Sequence, residues 1–173
     1  MALLDHNTRE EIRQHRFHPA VFVLVPLFAI FLQAYLPLRH PGFALVDLPL
    51  CVTVYFAVSR RNPVSGALLG TGIGLTQDAL THFPLGIQGI AKAIAGYLAA
   101  SIGARIDVDN PGTRVLMLFF FTLLDSLLRF LIVRLLLNLR MEWSVGHELL
   151  RATINALVAV VLFAFLDRLR QRE

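Results

Sequence analysis

Six apolar stretches run along the chain, separated by short polar or proline-containing connections. A helix needs about 20 residues to cross the hydrocarbon, a few fewer where neighbouring protein shields its ends. On that measure the pattern predicts transmembrane helices over residues 20–38, 43–59, 63–81, 86–104, 113–138 and 147–166. Pro19, Pro63 and Pro111 fall at or just before helix starts, where a missing N–H is harmless. Pro26 and Pro49 fall inside predicted spans and are expected to kink them. The expected organisation is an all-α polytopic membrane protein: a cytoplasmic arm (1–19), one six-helix transmembrane domain (20–167) and a basic cytoplasmic tail (168–173). In the arm, Thr8 and Glu11 fit a capping box and predict a short solvated helix.

The third and fourth stretches differ from the rest. Gly66, Gly70, Gly74 and Asp78 recur every four residues and share one helical face, where missing side chains let another backbone approach closely. Gly89, Lys92, Gly96, Ala100 and Gly103 make a second stripe of small residues carrying one ionisable group. Counted outward from Pro84, Leu85 and Gly86, Asp78 and Lys92 lie at similar depth at ~1.5 Å per residue. An unpaired charge at that depth costs about 2.5–3.5 kcal/mol on insertion scales. The expectation is therefore an Asp78–Lys92 pair, read either as a structural lock on the hairpin or as a proton or substrate site. In the fifth stretch Asp125 and Arg129 are i, i+4 neighbours in the favourable order for a salt bridge. Arg134 is placed to snorkel to the headgroups, and Asp47 is expected to be hydrated at the outer start of the second span.

Composition agrees: hydrophobic residues make up 56% and charged ones 16% of the chain, more apolar matter than one soluble core of this size requires. Arg9, Arg13, Arg16, Arg60, Arg61, Arg105, Arg114, Arg168, Arg170 and Arg172 fall on the side of the termini, against Arg39, Arg140 and Arg151 on the other. By the positive-inside rule both termini are cytoplasmic and the turn before Gly86 and the Trp143 loop face outward. Tyr35 and Trp143 then sit near the outer interface and Tyr55 near the inner one. The net charge of +4 belongs to this topology, since the basic residues form no patch with interleaved aromatics for nucleic acid.

Candidate chemistry adds little. Cys51 is the single cysteine, so no disulfide, cysteine metal cluster or redox pair can be built within the chain. None of Ser65, Ser101, Ser126 and Ser144 has the Gly-x-Ser-x-Gly setting of an intramembrane serine protease, and His82 and His147 lie at span ends. His147–Glu148 lacks the second histidine of a zinc motif. The string through Gly72, Gly74 and Asp78 follows no strand, so its glycines read as packing glycines and not as a phosphate loop. No catalytic residue, cofactor or metal is expected.

Gly70, Gly74, Asp78, Leu80 and then Pro84–Leu85–Gly86 resemble the G-x-x-x-G-x-x-x-D-x-L…P-L-G signature of the rod-shape-determining membrane protein family MreD. The specific part covers 66–86, while length, six-span layout and lack of extramembrane domains are similar throughout. The resemblance implies a non-enzymatic scaffold of the bacterial cell-elongation machinery in the inner membrane, working with MreC, MreB, RodA and a class B penicillin-binding protein in lateral peptidoglycan synthesis. It also implies likeness to the substrate-binding subunits of energy-coupling-factor transporters, whose fold the family is thought to share. A vitamin-binding transport subunit is accordingly the alternative, disfavoured because the first span lacks an A-x-x-x-A docking motif and no long polar outward loop is present. The interaction residues expected on this view are Gly66, Gly70, Gly74, Asp78, Pro84, Leu85, Gly86, Lys92 and Gly96, with Asp125 and Arg129 read from their spacing alone.

Overall fold

A computed structural model describes residues 19–81, 84–106, 110–138 and 143–168; the capping box at Thr8 and Glu11 lies outside them. Among the described residues there are six α-helices and no strand: α1 (Pro19–Arg39), α2 (Leu48–Arg60), α3 (Pro63–Thr81), α4 (Ile87–Gly103), α5 (Pro111–Leu131) and α6 (Val145–Arg168). A 3-10 turn, Pro41–Leu45, precedes α2, and a π-helical turn, Ile132–Leu136, ends α5. The stretches with α1, α2, α5 and α6 are long and apolar enough to cross a membrane. The central helices α3 and α4 have only 19 and 17 residues and carry the stripes of glycine.

Helix α2 is the axis of the bundle and packs against all five others. Every residue from Pro49 to Val58 is buried, as expected of a helix apolar all round. The predicted second span differs in one respect. It starts as a 3-10 turn, and Pro49 sits in the first turn of α2, where it ends no hydrogen bond and causes no kink. Pro26 does lie within α1. At the end bearing the termini, Asp167 of α6 accepts a 2.8 Å hydrogen bond from the Tyr55 hydroxyl of α2 and pairs with Arg114 of α5, tying three helices together. The Arg60 guanidinium lies over the Phe22 ring at 3.9 Å, joining α2 to α1.

The α3–α4 hairpin is the closest helix pair. A Cβ at Gly66 would run into the Gly96 carbonyl, one at Gly96 into the Gly66 carbonyl, one at Gly70 into the Lys92 carbonyl and one at Gly74 into the Gln88 carbonyl. Without a hydrophobic driving force between helices in lipid, such backbone approach is what holds a pair together. Gly89 faces Leu75 of α3, and Gly103 turns to Val58 of α2. The expectation fails at Gly72, which is exposed and has nothing near its missing Cβ, because it points to the opposite side of α3 from Gly70 and Gly74. Gly70→Ala is therefore expected to lower stability in detergent by about 1–3 kcal/mol through overpacking, while Gly72→Ala leaves the unfolding midpoint unchanged or raised. Equal damage from both substitutions would remove the close-approach argument.

Candidate functional site

Two polar arrangements are built into this apolar bundle. The first closes the tip of the hairpin. Gly86 is the N-cap of α4; it takes a φ of +102°, a left-handed conformation suited to glycine, and has no side chain to cap the helix with. Asp78 of α3 caps it instead. Its carboxylate accepts the backbone N–H groups of Gly86 at 2.9 Å, Gln88 at 3.1 Å and Gly89 at 3.3 Å. A fully buried anion is thereby placed on the positive end of a helix and hydrogen-bonded there, with no cation paired to it among the described residues.

The second arrangement joins α2, α4, α5 and α6. Asp47, the N-cap of α2, accepts the Leu50 N–H on Oδ1 at 3.0 Å. Its Oδ2 accepts from Lys92 Nζ of α4 at 3.2 Å and from Arg151 Nη2 of α6 at 3.1 Å. Lys92 also donates to Gln88 Oε1 at 2.8 Å and lies 3.8 Å from Asp125 of α5. Asp125 Oδ2 is 3.0 Å from Arg129 Nε, though the N–H is not aligned for a hydrogen bond. The Ser126 hydroxyl accepts from both Arg129, at 3.2 Å, and Arg151, at 3.0 Å. Asp47, Lys92, Asp125, Arg129, Ser126 and Arg151 thus form a closed ring. Glu148 branches from it, 3.9 Å from Arg151. Anions alternate with cations along Glu148, Arg151, Asp47, Lys92, Asp125 and Arg129, and the charges balance.

The ring sets the depth at which α2 begins. Val46 and Asp47 are buried, so non-helical backbone lies inside the bundle at the start of α2. In hydrocarbon, such backbone needs partners from within the protein. Asn155 of α6 supplies them, accepting the Asp47 N–H at 2.7 Å and donating to the Leu45 carbonyl at 2.9 Å, while Gln33 of α1 accepts the Leu48 N–H at 3.0 Å. The thiol of buried Cys51 lies 3.9 Å from Asn155 Oδ1. These contacts hold the connection in the bundle.

A family model described as rod shape-determining protein MreD matches residues 15–172. The chain belongs to the MreD family. Neither the comparison with curated proteins nor that with solved structures gave a match. Membership supports a role in rod-shape determination for this MreD chain.

The positions carrying the family resemblance, Gly70, Gly74, Asp78 and Pro84 to Gly86, all lie in the hairpin. Several of the sequence-based expectations need correction. Asp78 and Lys92 do not pair: Asp78 turns to backbone N–H groups at the tip, and the Lys92 side chain leaves the hairpin for Asp47. Asp47 is not hydrated but almost wholly buried at the hub of the ring. Arg151, counted by sequence with the residues flanking spans, is a buried ring member. Asp125 and Arg129 do pair, as their spacing predicts. Gln33, Gln88, Ser126 and Asn155 were missed. Each is an uncharged polar residue within an apolar run, and the available signal was that every such group in hydrocarbon needs a partner.

Removing one partner from a buried ion pair costs about 3–5 kcal/mol, so Lys92→Met should lose stability of that order in unfolding measured in detergent. A double-mutant cycle with Asp47→Asn should give a coupling of about 1–3 kcal/mol, larger than that with Asp78→Asn, which meets Lys92 only through Gln88. Coupling to Asp78 as strong as that to Asp47 would reinstate the direct pair.

Proposed function

We propose that this MreD chain is a non-enzymatic scaffold of the cell-elongation machinery. It sits in the bacterial inner membrane as a six-span bundle with both termini cytoplasmic, in a fold like that of energy-coupling-factor substrate-binding subunits. There it binds MreC and, through a larger complex with MreB, RodA and a class B penicillin-binding protein, serves lateral peptidoglycan synthesis. The observation that carries this reading is the ion ring: its cations and anions neutralise one another across four elements, so the intramembrane charges act to fix helix positions. Such a bundle presents rigid apolar faces to its surroundings. One of them is a groove of about 600 Å³ between α1, α2 and α6, lined by Leu24, Phe28, Leu48, Val52, Leu162 and Phe165 and almost free of polar surface. Its chemistry suits helix packing or acyl chains and offers no hydrogen bond to a vitamin.

Gentle detergent purification from native membranes, with mass spectrometry of proteins and small molecules, tests the proposal. MreC and wall-synthesis enzymes are expected to co-purify with the parent chain and to be lost with Gly70→Leu, which forces α3 from α4. Recovery of a bound metabolite together with an ATPase module, and no MreC, would replace the scaffold by a transport subunit.

A further inference from the structure

The ion ring is incompletely hydrogen-bonded in a specific way. Among the described residues, five of its buried atoms have no hydrogen-bond partner: the acceptors Asp125 Oδ1, Asp125 Oδ2 and Glu148 Oε2, and the donors Arg129 Nε and Arg151 Nε. The Asp125 side chain has no exposed surface at all. A buried charged group left this way is costly, and native structures satisfy nearly all such atoms by protein or ordered water. Two links are also too long for direct hydrogen bonds: 3.8 Å from Lys92 to Asp125, and 3.9 Å from Arg151 to Glu148. Separations of this kind are commonly bridged.

We propose that the ring encloses a polar site, entered from the end of the bundle opposite the termini, whose occupant is a neutral group that both donates and accepts hydrogen bonds. In the chain alone that group is water. Neutrality follows from the charge balance, since three carboxylates already face three cations and an ion of either sign would leave a charge uncompensated in hydrocarbon. The dual character follows from the unbonded atoms, which include donors and acceptors. The entry follows from exposure: side chains are sealed at Lys92 and Asp125 (0%) and open gradually through Arg151 (10%) and Glu148 (13%) to Arg129 (14%). Glu148 lies in the first turn of α6, and Arg129 lies before the π-helical turn that carries α5 on to Leu136, so the rim opens toward that end of the bundle. A partner helix that docks there supplies a hydroxyl or amide of the same chemistry in place of water. Gln77 Oε1 of α3 is also unbonded but stands alone and makes no comparable site.

Because Cys51 is the single cysteine, Cys51→Ala yields a cysteine-free chain for thiol labelling. In that background Ser126→Cys puts a thiol between Arg129 and Arg151, and Thr122→Cys puts one a turn away at a position equally buried, where the native hydroxyl bonds only to its own helix at Leu118. Charged methanethiosulfonate reagents attack thiolates in contact with water. In the detergent-purified chain, Ser126→Cys should react about tenfold faster or more than Thr122→Cys, as expected for a thiol on a hydrated lane. Labelling in native membranes then separates the sources: an unchanged rate means water, and protection means a group supplied by a partner. Equal, slow rates for the two variants in detergent would overturn the proposal. Should Ser126→Cys not fold, an experimental structure of the unaltered chain decides the point: a solvent oxygen bonded to Asp125 supports the site, and Asp125 oxygens bonded by protein groups alone refute it.

Discussion

A carboxylate at membrane depth must be neutralised by groups of the same protein, and at Asp47 that requirement draws four elements to one point. Arg151 comes from α6, Lys92 from α4, and the Leu50 N–H from α2 itself. Lys92 then brings Asp125 of α5 within 3.8 Å. Because Asp47 is also the residue where α2 begins, placing it inside the bundle buries the last residues of the connection from α1, Val46 and Asp47. The backbone groups of that non-helical segment are taken up by Asn155 and Gln33.

With one end of α2 fixed by the ring, the other is fixed by the contact of Tyr55 with Asp167 and of Arg60 with Phe22. An axis held at both ends lets the surrounding helices be assigned to two kinds of work. Helices α3 and α4, short and glycine-rich, pack on each other and on α2. Helix α1 keeps Val23, Leu24, Leu27, Phe28 and Phe31 exposed, and α6 does the same with Leu157, Val161 and Phe165. These faces are apolar, whereas the charged groups of the ring bond mainly to one another.

The helices were largely legible in the sequence because apolar run length and proline position determine them locally: α3 begins and ends where the pattern places it, at Pro63 and Thr81. The glycine stripe was legible for the same reason, apart from Gly72, where a count of glycines without a helical face misleads. The site was read only in part. Asp125 and Arg129 lie one turn apart, so spacing suffices for them. Asp78 and Lys92 lie at matching depth, but depth does not say which way a side chain leaves its helix. Lys92 takes the side facing α2, and its partner is 45 positions away in sequence. No local pattern links Asp47, Lys92 and Arg151; only their common need for partners does.

The glycines alone do not determine how α3 sits on α4. Gly66, Gly70 and Gly74 meet Gly96, Lys92 and Gln88, and both series repeat every four residues. A slip of one turn, about 5.4 Å, would leave Gly66 against Lys92 and Gly70 against Gln88, with backbones still able to approach. What the slip would not preserve is the polar chemistry. Asp78 would lose the N–H groups of Gly86, Gln88 and Gly89, leaving a carboxylate unsatisfied at a cost of about 2.5–3.5 kcal/mol or more. Lys92 would be carried away from Asp47 by the same step. Small residues make the contact possible, and two carboxylates, each held by a different partner, select one register among those the small residues permit.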